Sequence, residues 1–193
     1  MNRLLALLLI QLIGLTAYSQ SERTNIYSGG MLIVQPGYTM ASNNHQDIRD
    51  VSFGLGGILR FYLYQYFTAG IYGGTQRTGY ISANSESSNI SLGYGGPFAG
   101  YSQKFGRVRL TASAFVGMGT VRNLHIESQS GTTLSEAYLY KHSALVLSPL
   151  ISVDYALTQR LLITFQSGYL AARYNRDKML YNPTFQVGVL FNR

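Results

Sequence analysis

Eight stretches of the chain alternate apolar and polar residues with a period of two, the spacing of an extended strand whose side chains point to opposite faces. In the first, Met31 to Met40, Leu32, Val34, Pro36, Tyr38 and Met40 share one face. In the second, Val51, Phe53, Leu55, Leu59 and Phe61 oppose Ser52, Gly54, Gly56, Ile58 and Arg60. The third sets Phe67, Ala69 and Ile71 against Thr68, Gly70, Tyr72, Gly74 and Gln76, and the fourth sets Ile90, Leu92, Tyr94 and Phe98 against Ser91, Gly93, Gly95 and Ala99. Val108 to Gly119 is the fifth, and the sixth carries Leu145, Leu147, Ile151, Val153 and Tyr155 opposite Ser148, Ser152 and Asp154. Leu161, Ile163, Phe165 and Tyr169 mark the seventh. The eighth, Thr184 to Arg193, has Phe185, Val187, Val189 and Phe191 on one face.

Polar stretches separate the strands in a strict rhythm. Ala41 to Asp50, Arg77 to Asn89, Thr120 to Ala137 and Ala172 to Pro183 are long; the breaks near Tyr64-Gln65, Lys104 to Gly106 and Leu157 to Gln159 are short. An even number of strands with this rhythm puts both ends of the series on the short-turn side, so the eighth strand can pair with the first. The pattern predicts an all-β, eight-stranded antiparallel up-and-down barrel, with strands of about 9–12 residues that suit a tilted bilayer crossing. The glycines, Gly93 and Gly95 among them, fall mostly opposite the apolar face. A lumen of Gly, Ser, Thr and Gln inside an apolar exterior fits a barrel in lipid; a water-soluble barrel would reverse the two. Pro36, Pro97 and Pro149 lie within strands and predict bulges or loosened pairing, since proline has no N–H for the ladder.

Composition sharpens this. The 193 residues suit one domain, with 13% aromatic and 12% charged residues and no cysteine, which excludes disulfides, thiolate metal sites and a lipid anchor on an N-terminal Cys. Arg3 and the apolar run Leu4 to Ala17, with small Ala17 and Ser19, read as a signal peptide over residues 1–19, leaving a barrel domain over 20–193. Two aromatic girdles are expected. Phe61, Tyr62, Tyr64, Tyr66, Phe67, Tyr101, Phe105, Tyr155 and Phe191 would form the one at the short-turn end. Tyr38, Tyr80, Tyr138, Tyr140, Tyr169, Tyr174 and Tyr181 would form the one at the long-loop end.

The signal peptide, eight strands, loop rhythm and aromatic-spaced last strand together resemble the small outer-membrane β-barrels of the OmpX and OmpA-transmembrane-domain type. The resemblance implies short periplasmic turns, long extracellular loops and a location in the cell outer membrane of a Gram-negative envelope. It also implies that Phe185, Val187, Val189 and Phe191 are read by the outer-membrane assembly machinery, although Asn192 and Arg193 follow where such strands usually end on an aromatic residue.

An eight-stranded lumen is filled by its own side chains, so general diffusion is not expected. Arg109 and Asp154 face inward on neighbouring strands with Arg60 at the same level, predicting a structural ion-pair cluster of Asp154 with Arg109 and Arg60. His142-Ser143 is no catalytic dyad, because adjacent strand residues point apart; His125 and Glu127 could share a face in a long loop. The expected protein is therefore non-enzymatic, without metal or cofactor, and structural or interactive through its loops. The alternatives are a lipid-modifying barrel enzyme and a soluble lipocalin-like binding protein. Without Arg3 the chain keeps 14 Lys+Arg against 8 Asp+Glu, but no dense basic run suggests nucleic acid. By end, the long-loop side is close to neutral, and the excess lies at the short-turn side with Lys104, Arg107 and Arg160. Expected partners are outer-membrane lipids, lipopolysaccharide, the assembly machinery and an extracellular ligand of the loops.

Overall fold

The computed structural model describes residues 27–192 apart from 44, 64, 65, 83, 84, 131, 132, 159, 176 and 177; the expected signal peptide, Tyr64 and Arg193 lie outside the described residues. The strands are β1 (Tyr27–Ser42), β2 (Asp47–Leu63), β3 (Phe67–Ser82), β4 (Ser85–Phe105), β5 (Val108–Ser130), β6 (Thr133–Ala156), β7 (Leu161–Tyr174) and β8 (Lys178–Asn192). Each pairs antiparallel with the next, and β8 pairs with β1, so the sheet closes as a barrel with no free edge. Leu190 opposes Met31, Val189 opposes Leu32 and Val187 opposes Val34 across the closing seam.

The strands exceed the expected length. Arg77 to Asn89, Thr120 to Ala137 and Ala172 to Pro183 are largely strand, and β5 and β6 reach 23 and 24 residues. Beyond a bilayer no face must be apolar, so strand sequence there is polar and reads like loop. The long connections are thus tall hairpins.

Polarity runs inside out. Leu32, Val51, Ile71, Met118, Ile151 and Phe185 stand outward, Met118 with 78% of its surface exposed. Gln35, Arg60, Tyr72, Asp154, Gln166 and Gln186 are buried in the lumen. The fourth strand reverses the expected facing: Ile90, Leu92, Tyr94 and Phe98 point inward, and Gly93 and Gly95 point out. Register explains it, because cross-strand partners share a face. Tyr94 opposes Gly74, and Phe98 opposes Gly70 on one side and Phe115 on the other, so glycines on β3 open the space these rings fill. Three girdle assignments fail for the same reason: Tyr62, Tyr80 and Tyr174 are buried, while Phe61, Tyr66, Phe67, Tyr101, Phe105, Tyr155 and Phe191 at one end and Tyr38, Tyr138, Tyr169 and Tyr181 at the other are exposed.

The in-strand prolines loosen pairing without shifting register. Pairing lapses between Val34 and Gly37 on the β8 side, between Gly95 and Phe98 on the β5 side, and between Leu147 and Leu150 on the β7 side. On the opposite side Pro36, Pro97 and Pro149 remain paired with Phe53, Ile71 and Ala114. Proline can keep one ladder and must lose the other, because a residue's own N–H and C=O serve the same neighbour.

Candidate functional site

At the short-turn end the lumen brings Arg60 and Asp154 together as an ion pair. Asp154 on β6 is fully buried, and its Oδ2 accepts from Arg60 Nη1 and from the Tyr62 hydroxyl, each at 3.1 Å; its Oδ1 accepts from Thr164 Oγ1 at 2.7 Å. Arg60 also donates to Gln166 Oε1 at 3.3 Å. Arg60 makes the 3.1 Å ion pair, whereas Arg109, the cross-strand partner of Asp154, lies with its guanidinium 3.8 Å from the centre of the Tyr62 ring. Tyr62 was the missing member. Two residues from Arg60 on one strand, it necessarily shares the inward face.

One layer further along, a second network plugs the barrel. The hydroxyls of Tyr72 and Tyr94 lie 2.7 Å apart and both donate to Gln35 Oε1, at 2.9 and 2.7 Å, while Gln186 Nε2 donates to Tyr72 at 2.8 Å. Phe115 packs edge-on against both rings, at 5.1 and 5.8 Å. A Cβ added at Gly56 or Gly74 would collide with Gln35 Nε2, so these glycines give the amide its place. A third layer, of Thr39, Thr78, Ser52 and Asn182, closes toward the long hairpins: Asn182 Nδ2 donates to Thr39 and Ser52, and Thr39 meets Thr78 at 2.6 Å.

Above these layers the barrel opens. All three histidines gather here, which spacing alone did not reveal. His45 stacks on His125 at 4.0 Å and contacts the Tyr140 hydroxyl through Nε2 at 3.2 Å; Tyr80, from below, reaches His125 Nδ1 at 3.3 Å. Desolvation by burial, followed by the facing His45 ring, holds the His125 imidazole below its usual pKa, against a smaller opposing pull from Glu127. A cleft opens beside the stack, lined by Asn43, Asn123, Tyr140, His142, Tyr174 and Lys178. His142 turns toward this mouth and Ser143 away from it. His125 is buried while Glu127 is exposed.

A closed, eight-stranded, up-and-down barrel with an apolar outside and a plugged polar inside has the fold of the small outer-membrane β-barrels. Solved structures bear this out. Neisserial surface protein A matches with TM-score 0.55 and 14% identity, over 83% of this chain and 96% of that one. The attachment invasion locus protein Ail of Yersinia pestis matches with TM-score 0.51 and 12% identity, over 86% and 99%. A major outer membrane protein from Thermus thermophilus matches with TM-score 0.52 and 9% identity, over 85% and 99%. No protein-family model matches the sequence, and no curated protein matches it.

Proposed function

We propose that the chain is a non-enzymatic integral protein of the bacterial outer membrane, exported by its N-terminal signal peptide, that acts through the hairpins and mouth at its long-hairpin end. The observation that carries this reading is the plugged lumen. Three hydrogen-bonded layers occupy the bore, so neither solute nor lipid substrate has a path through it. The cleft and the aromatic-histidine stack then remain as the surfaces suited to a ligand. A barrel of the same fold, Ail, has been solved with the heparin analogue sucrose octasulfate, which supports a ligand-carrying role for such a scaffold. Phe185, Val187, Val189 and Phe191 line the outer face of the closing strand, where the assembly machinery would read them.

The test combines fractionation with heat-modifiability and conductance. The protein is expected in the outer-membrane fraction, migrating faster on a denaturing gel unheated than boiled, and silent in planar bilayers. Recovery as a soluble periplasmic protein overturns the membrane reading, and steady nanosiemens conductance overturns the plug. A lipid A or phospholipid profile that changes with wild type but not with His142→Ala would make it an enzyme.

A further inference from the structure

The turn between β1 and β2 reaches across the mouth and sets one side chain against the tall hairpin opposite. The His45 imidazole meets three rings carried by β5 and β6: His125 stacked at 4.0 Å, Tyr138 stacked at 5.7 Å and Tyr140 tilted at 6.0 Å. Register brings those walls together, because Tyr138 is the cross-strand partner of His125 and Tyr140 lies two residues further on, so all three share one face. Tyr138 and Tyr140 also stack on each other at 6.2 Å, and Tyr80 stacks with His125 at 6.2 Å. Together they form an aromatic cage with a single ring as its occupant.

The cage favours positive charge. Ring faces are the negative side of the aromatic quadrupole, and two carboxylates stand beside them. Glu136 accepts a hydrogen bond from the Tyr138 hydroxyl. That bond, with the charge of Glu136 and then of Glu127, pushes the Tyr138 hydroxyl up to about 12. Lys141 follows Tyr140 in the strand and therefore points to the opposite face, as does its partner Arg122, while Lys178 lines the neighbouring cleft. The hydroxyls are already engaged, Tyr80 with Asn123, Tyr138 with Glu136 and Tyr140 with His45. An ammonium bearing N–H groups would give up water and find few acceptors here, whereas one bearing only carbon substituents forfeits no hydrogen bond.

His45 can leave the cage without the turn coming apart. Asn43 Oδ1 accepts from the backbone N–H groups of His45 and Gln46, and Gln46 Nε2 donates to the Ile81 carbonyl. The backbone is fastened independently of the imidazole, which needs only a change of side-chain rotamer to swing out. We propose that this cage binds a quaternary ammonium group of the choline type, with His45 as its displaceable occupant. The proposal rests on the reading that the mouth carries the ligand, and it supplies that ligand's chemical class. The methyl groups lie against the faces of Tyr138, Tyr140 and His125, and Glu127 and Glu136 balance the charge.

The full chain is refolded in an uncharged alkyl maltoside, because phosphocholine detergents and phosphatidylcholine would themselves fill the site. Choline and its uncharged isostere 3,3-dimethylbutan-1-ol are titrated calorimetrically at about pH 8, where an ordinary imidazole is neutral. Choline is expected to bind about 10-fold more tightly than the isostere. Tyr138→Leu and Tyr140→Leu should each weaken choline roughly 3- to 30-fold, whereas Tyr138→Phe, which keeps the ring, retains binding. His45→Ala should bind more tightly than wild type, because apparent affinity falls with the fraction of molecules whose site His45 occupies. A His45 that only clasps the two hairpins predicts no such gain. Heat-modifiability shows that each variant is folded. Absence of choline binding, equal binding of the isostere, unchanged binding in both leucine variants, or a His45→Ala affinity no higher than wild type would each overturn the proposal. Membrane fractionation of the same protein is read separately, so a failed titration with correct fractionation refutes the cage and leaves the membrane reading standing.

Discussion

Asp154→Asn isolates the buried charge of the lumen cluster. The substitution keeps the shape of the side chain and removes its charge, leaving the Arg60 guanidinium, 1% exposed, beside a neutral amide. Asp154 now accepts three hydrogen bonds, two of them at 3.1 Å and one at 2.7 Å. Bonds to a charged acceptor contribute about 1.5–3 kcal/mol each, but an amide oxygen keeps part of that. The larger loss is the uncompensated cation, and breaking a buried pair from one side costs about 3–5 kcal/mol. A loss of that size is expected here, or roughly 10²–10⁴ in the unfolding equilibrium. It is read from urea unfolding in lipid vesicles, followed by far-UV circular dichroism because the chain has no tryptophan. Removing the partner as well, with Arg60→Met and Asp154→Leu, should recover at least half of the loss, because the fully buried Arg60 cation is then gone together with its counter-charge. A loss under about 1 kcal/mol in Asp154→Asn, or a double variant no more stable than the single, would refute the reasoning and make the pair incidental to stability.

Ile151, two-thirds exposed and paired with Ala112 in the middle of the outward run of β5, should cost about 2–4 kcal/mol when replaced by Arg in a bilayer; a change within error would mean the belt is not in lipid. His125 binds its proton less readily in the folded mouth than free imidazole does, so its contribution is complete above about pH 6.5 and declines as pH falls through the folded value. Imidazole resonances followed by NMR should show His125 titrating below about pH 6.5, with the His45 stack loosening as it does; titration above that value contradicts the account. Phe191→Ser is expected to slow assembly in cells while leaving refolding into detergent nearly unchanged, and equal impairment in both would assign Phe191 to stability alone.

Period-two alternation revealed the strand number, order and closure because a wall between lipid and a packed bore imposes it on every strand. It failed where that demand relaxes. Past the belt, Arg77 to Asn89 and Thr120 to Ala137 carry polar residues on both faces and read as loops, yet most of their described residues pair as ladders. Alternation also says that two faces differ without saying which is inside. On β4 both faces hold small or apolar residues, so the glycines opposite, Gly70 and Gly74, decide the matter, and they belong to another strand. The lumen charges were legible because Arg60, Arg109 and Asp154 are rare on strand faces; the role of Tyr62 was hidden behind the expectation that tyrosines mark interfaces. The meeting of His45 with His125 depends on hairpin heights, which no local pattern encodes.

Those heights have a further consequence. Twelve residues of β5 follow Met118, the last strongly exposed apolar residue of its outward face, whereas β1 ends four residues after Tyr38. At about 3.3 Å per residue and a tilt near 40°, the β5–β6 hairpin rises roughly 30 Å above the belt and the β1–β2 hairpin only about 10 Å. The rim is therefore a slanted parapet, built from hydrogen-bonded sheet instead of slack loop. Whatever reaches the cleft arrives over the low side, between the β1–β2 and β7–β8 hairpins, and the high side meets a neighbouring surface first.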